Sequence, residues 1–155
     1  MRSLIVSDLH LGSVSRSDVL RRAELREPLL EEIGDVDRVI LLGDVLELRH
    51  GPPREALAVA RPFFEDLGRA LAGRELVVLA GNHDYSLIAS WLARRDRQEH
   101  PERLQLEQLL AAEQASPMLH QLAEWASPAH RARRPPGVAC PAAGPPPRGA
   151  CAGAR

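Results

Sequence analysis

Three short apolar runs, each ending in a small residue next to a carboxylate or an amide, constrain this chain more than any other feature. Leu4-Ile5-Val6 leads into Ser7-Asp8-Leu9-His10, Val39-Ile40-Leu41-Leu42 into Gly43-Asp44, and Leu76-Val77-Val78-Leu79 into Gly81-Asn82-His83-Asp84. Each run has the length and branched-aliphatic content of a buried strand. A glycine at a strand end lets backbone and ligand approach closely. The runs recur about every 37 residues, the spacing of a strand plus a crossover helix.

The stretches between them read as helices. Ser17 and Asp18 are N-cap types for a helical piece through Arg22. Pro28 suits a first helical position and Gly34 a helix end. Residues 54–72 carry Ala56, Val59, Ala60, Phe63, Leu67, Ala70 and Leu71 near the 3.6-residue period, with Gly73 as the stop and Pro62 as a kink or restart. Strands are expected at 2–7, 38–42 and 75–80. Strand, helix, strand, helix, strand argues for a parallel sheet in an α/β domain. Right-handed crossovers put the three strand tips on one sheet edge, where ligands of such sheets bind. Asp8, His10, Asp44, Asn82 and His83 should therefore meet there.

Residues 86–126 read as helical. Leu87, Ile88, Trp91 and Leu92 form one apolar stripe and Leu104, Leu106, Leu109 and Leu110 another. Ser116-Pro117 opens a third helix carrying Met118, Leu119, Leu122 and Trp125. Helix packing accounts for these stripes. From about residue 129 the chain changes character. Residues 131–155 are Arg, Ala, Pro, Gly, two Cys and one Val, without an acidic residue or an apolar period. A domain over 1–128 followed by a disordered Pro/Ala/Arg/Gly-rich tail over 129–155 is the expectation. The tail has the residue types of GC-rich codons, and every basic residue of the chain is Arg. A shifted reading frame would produce such a tail.

Composition excludes some functions. A net charge of −1 gives no basic field for nucleic acid, and 3% aromatics gives no stacking platform. No signal core or membrane span is visible at the N-terminus. Both cysteines, Cys140 and Cys151, fall in the tail, so a reducing cytoplasm is the default expectation.

The chemistry lies at the strand tips. Asp8 and His10, two residues apart, can chelate one ion. Asp44 has two oxygens and can bridge two, and Asn82 adds a neutral oxygen. A mixed N/O set without thiolate suits Mn²⁺, Zn²⁺, Fe or Ni²⁺ better than Ca²⁺ or a structural Cys-type zinc site. Two such ions about 3.5–4 Å apart clamp a phosphoryl displacement and bring a bound water near hydroxide at neutral pH. His83 can then stabilise charge or protonate the leaving oxygen, and Asp84 can orient His83 through its other N–H. Each pair taken alone is also what an ordinary turn looks like.

Taken together, Asp8-Leu9-His10, Gly43-Asp44-Val45-Leu46-Glu47 and Gly81-Asn82-His83-Asp84 resemble the calcineurin-like metallophosphoesterases, firmly over residues 1 to about 95. The resemblance implies the N-terminal portion of a four-layer α/β/β/α sandwich, a parallel βαβαβ core followed by helices. It implies a dinuclear centre with Asp8 and His10 on the first metal, Asp44 bridging and Asn82 on the second, with His83 and Asp84 catalytic. Glu47 is not assigned as a ligand. The substrate class implied is a phosphomonoester or phosphodiester. The family completes its site with a later strand-end His and a Gly-His-x-His motif, and this sequence has neither. An incomplete domain that retains the first metal site is therefore expected. The alternative is an inactive remnant, acting as a binding protein or without function.

Overall fold

The computed structural model describes residues 1–100 and 109–127. Three strands, β1 (Ser3–Val6), β2 (Arg38–Leu42) and β3 (Glu75–Leu79), form a parallel sheet in the order β1-β2-β3. The register pairs Ile5 with Ile40 and Ile40 with Val77. After β1 come a 3-10 turn at Val19–Arg21 and helix α1 (Ala23–Gly34); α2 (Pro53–Leu71) joins β2 to β3. Helices α3 (Ser86–Asp96), α4 (Ala112–Ala115) and α5 (Pro117–Trp125) follow. This is the expected βαβαβ arrangement. The expected helix does not run through 86–126: α3 ends at Asp96, and Leu109 and Leu110 lie outside any helix, Leu109 being 72% exposed; Leu104, Leu106 and the expected tail lie outside the described residues.

The core occupies one face of the sheet. Leu4, Val6, Val39, Leu41, Leu76 and Val78 alternate along the strands and pack with Ile33 of α1 and Phe63, Phe64 and Leu67 of α2. The alternate residues point away from the helices. Ile5 is 58% exposed, Leu42 49% and Leu79 42%. The run Val39–Leu42 is thus buried at every second residue and not throughout. A sheet covered on one face buries alternate positions, and apolar content alone does not reveal this.

Two prolines behave differently from the sequence reading. α1 starts at Ala23, so Pro28 lies inside it, and α2 runs unbroken through Pro62. Each proline removes a backbone donor, at a cost of about 3 kcal/mol in a helix interior. Both rings sit on exposed positions, where the deprived carbonyl can turn to water. On the inner side Ala60, Phe63, Phe64 and Leu67 are fully buried and hold α2 in one piece. Its end is as expected: Ala72 takes the left-handed conformation and Gly73 follows at φ 87°.

Helix α5 begins at Ser116, whose hydroxyl accepts from Leu119 N at 3.1 Å. Its end meets α2 at Gly68, where a Cβ would collide with the Ala126 backbone. Leu122 and Trp125 enter the core, so that stripe is packing as expected.

The buried Arg26 joins α1 to α2 and to the 3-10 turn. Its Nε donates to Asp66 Oδ2 at 3.0 Å and its Nη1 to the carbonyls of Leu20 (3.1 Å) and Arg21 (3.2 Å). Arg26→Ala leaves these acceptors unpaired and should lower unfolding free energy by about 2 to 3 kcal/mol. Urea denaturation would measure the loss. A change below about 0.5 kcal/mol, the size of a neutral surface substitution, would contradict this role.

Candidate metal centre

The strand tips are built by backbone held in an unusual conformation. Asp8 (φ 56°), His10 (φ 44°) and Asp44 (φ 52°) are left-handed, and Gly43 between the last two turns has φ 78°. A non-glycine residue there costs on the order of 1 kcal/mol or more and persists only when its surroundings hold it. Here the ladder continues past the strands. His10 N donates to Asp44 O and Leu11 N to Val45 O, each at 2.9 Å, and Glu47 N returns to Leu11 O at 3.0 Å. Leu11 and Leu46 form a parallel bridge and are fully buried.

The third loop is fastened to the second by Asp84, which is fully buried. One carboxylate oxygen accepts from Val45 N (2.7 Å) and Leu46 N (3.2 Å), and the other from Gly81 N (2.6 Å). His83 N donates to Asp44 Oδ1 at 2.8 Å. A Cβ on Gly81 would collide with the Asp44 carboxylate, so the two loops close to contact only with glycine there.

The side chains then converge. Ligand atoms of Asp8, His10 and Asp44 lie within 4.8 Å of one another, and so do those of His10, Glu47 and His83. The rings of His10 and His83 meet edge to face at 4.6 Å. Asn82 is exposed at the rim. One atom of its carboxamide is 3.0 Å from Asp44 Oδ2 and the other 3.2 Å from Arg49 Nη1. Nitrogen toward Asp44 and oxygen toward Arg49 makes two hydrogen bonds. The reverse orientation sets the amide oxygen against a carboxylate oxygen, a pair that a shared cation stabilises.

The contact expected between His83 and Asp84 is replaced by another at Nδ1. His83 Nδ1 is 2.7 Å from Glu47 Oε2, and Asp84 is committed to backbone N–H groups. Glu47 is 5% exposed and also meets His10 Nδ1 at 3.4 Å and His50 Nδ1 at 3.1 Å. Burial pushes its carboxyl up. The Arg49 N–H, the His83 hydrogen bond and the charges of His83 and His50 outweigh burial, and the net shift is downward from the ordinary carboxylate range. An ionised Glu47 requires the hydrogen of a neutral His83 on Nδ1, which leaves Nε2 unprotonated. Glu47 and His50 were the residues missed. The signal for Glu47 was its place in Val45-Leu46-Glu47-Leu48, a charge inside an apolar run that continues a buried strand.

A family model for the calcineurin-like phosphoesterase superfamily domain matches residues 1–139. The chain belongs to that superfamily. Divalent metals are general in it, and the residues here fit such ions. Two carboxylates and an imidazole converge on one point, backbone strain is maintained to aim them, and an amide oxygen can oppose Asp44 across a shared position. The family match extends past residue 128, into residues outside the described ones. Among the described residues no helix is long and apolar enough to cross a membrane.

Asp84 holds this superfamily site together through three backbone N–H groups, those of Val45 and Leu46 buried and that of Gly81 partly so. Asp84→Ala orphans all three and should cost about 3 kcal/mol or more. Asp84→Asn, which keeps acceptor capacity on one oxygen only, should fall between. Thermal melts of the two variants check this. A melting point within error of the parent for Asp84→Ala would contradict it.

Proposed function

We propose that this chain is a metal-dependent phosphoesterase with a dinuclear centre. Asp8, His10 and Asp44 hold the first ion, and Asp44 and Asn82 hold the second. The observation that carries this reading is the meeting of Asp8, His10 and Asp44 ligand atoms within 4.8 Å on left-handed backbone at the ends of two adjacent strands, β1 and β2. The first ion takes three side chains and the second two, so the first should bind more tightly. The mixed carboxylate, imidazole and amide donors suit Mn²⁺, Fe, Zn²⁺ or Ni²⁺, and Mn²⁺ is the first ion to test. When bound, the ions supply Lewis acidity to the phosphoryl oxygens and acidify a water.

The protein's own groups do the rest. Glu47 fixes the His83 ring through Nδ1, which lies 2.7 Å from Glu47 Oε2. Protonated His83 can donate from Nε2 to the leaving oxygen, or stabilise charge on the phosphoryl group. Asp84 acts by position: it sets the distance between the loop that carries Asp44 and the loop that carries Asn82 and His83.

Hydrolysis of an aryl phosphate with added Mn²⁺ tests the reading. Asp44→Ala should lose metal binding and turnover together. His83→Ala should keep the metal and lose about 10²- to 10⁴-fold in kcat, the range of a general acid. Saturable metal binding without turnover is what the competing reading, a binding protein, requires. Turnover that survives Asp44→Ala would sink the assignment.

A further inference from the structure

Glu47 gathers more imidazoles than its hydrogen bonding explains. Three histidines present the same atom, Nδ1, to its carboxylate: His83 at 2.7 Å and His10 at 3.4 Å from Oε2, and His50 at 3.1 Å from Oε1. The His83 contact is a hydrogen bond, whereas His10 and His50 attract Glu47 only when their rings are charged. The rings also gather on one another: His83 lies 4.6 Å from His10 and 5.9 Å from His50, centroid to centroid. They arrive from the separate loops that follow β1, β2 and β3, so no local turn explains the convergence.

We propose that His10, Glu47, His50 and His83 form a Zn²⁺ site distinct from the Asp8, His10, Asp44 and Asn82 centre, and that filling it excludes the first ion of that centre. Zinc bonds to imidazole nitrogen and carboxylate oxygen at about 2.0–2.1 Å, so neighbouring ligand atoms of a tetrahedral site stand about 3.3 Å apart. The spacings of 3.1 and 3.4 Å match that edge as they stand, and the 2.7 Å contact opens to it when an ion replaces the hydrogen between the two atoms. Three imidazoles and one carboxylate complete a closed fourfold set, the form of a zinc site without an open position. Donor type separates the two places. The Glu47 group is rich in nitrogen, which favours zinc over manganese, whereas three of the four donors at the strand tips are oxygen.

His10 belongs to both groups. A neutral imidazole has one unprotonated nitrogen and so holds one ion at a time. Zn²⁺ at Glu47 therefore takes a ligand from the first strand-tip ion and holds His83 as well, and it inhibits. The zinc site stands on the three histidines and Glu47 alone; the exclusion rests on the phosphoesterase reading above.

Co²⁺ added to the full chain is the probe, because tetrahedral Co²⁺ absorbs visible light far more strongly than six-coordinate Co²⁺. The parent should show the strong bands, and Zn²⁺ should titrate them away. His50→Ala should lose them and bind Zn²⁺ about 100-fold more weakly or worse, since even partners outside the ligand shell are worth about 10- to 100-fold. His50→Cys, which returns a zinc ligand, should regain them, a recovery that misfolding of the alanine variant would not give. Asp8→Asn, which suits left-handed backbone and weakens the first strand-tip position, should keep them. The site is overturned by bands absent from the parent, by bands lost in His50→Ala and not regained in His50→Cys, or by bands unchanged in His50→Ala, as they would be if Cys140 and Cys151 held the ion. Mn²⁺ should lower the apparent Zn²⁺ affinity of the parent and not that of Asp8→Asn. Mn²⁺ that binds the strand tips without competing overturns the exclusion while the phosphoesterase reading stands. Mn²⁺ that does not bind there overturns that reading and the exclusion with it, and the zinc site is then decided by His50→Ala and His50→Cys.

Discussion

The site depends on one buried carboxylate. Asp84 accepts from Val45, Leu46 and Gly81, and through these bonds the loop after β3 is drawn onto the loop after β2. Without it the Val45 and Leu46 donors would be buried unpaired, the Gly81 donor would lose its partner, and the contact of Gly81 with Asp44 would open. The left-handed conformations of Asp8, His10 and Asp44 are maintained by the same assembly, since the bonds from His10 N to Asp44 O and from Leu11 N to Val45 O run along the loop that Asp84 secures. Strain at the ligands and its compensation by buried hydrogen bonds are two sides of one arrangement.

Glu47 sets the electrostatics. It is a buried carboxylate that meets three imidazoles and one backbone N–H. The carboxylates Asp8 and Asp44 meet within 4.8 Å, and His10 joins them to the group that holds Glu47, an arrangement that calls for positive charge at the strand tips. Cations at the strand tips answer that need.

Much of this was legible in the sequence. Strand positions followed from Leu4–Val6, Val39–Leu42 and Leu76–Leu79, and the meeting of their tips followed from parallel topology alone. The candidate ligands Asp8, His10 and Asp44 needed only the strand ends to be read. Other features were hidden for physical reasons. Pro28 and Pro62 look like helix boundaries until tertiary packing is seen to hold the helices through them. The exposure of Ile5, Leu42 and Leu79 among the described residues is invisible in the sequence because an apolar residue reads the same whether or not a partner covers it. The partner of His83 was assigned to its sequence neighbour Asp84, whereas Glu47, 36 positions earlier, provides it across the sheet edge. Side-chain pairing between loops depends on their relative placement, which local pattern does not encode.

The central claim is that the strand tips hold two cations through Asp8, His10, Asp44 and Asn82. Anomalous scattering from a crystal grown with Mn²⁺ tests it most directly. The account predicts two peaks about 3.5–4 Å apart, the separation of dinuclear phosphoryl-transfer sites, with Asp44 between them and the stronger one beside Asp8 and His10. Peaks elsewhere on the chain, with none at the strand tips at saturating Mn²⁺, would contradict it.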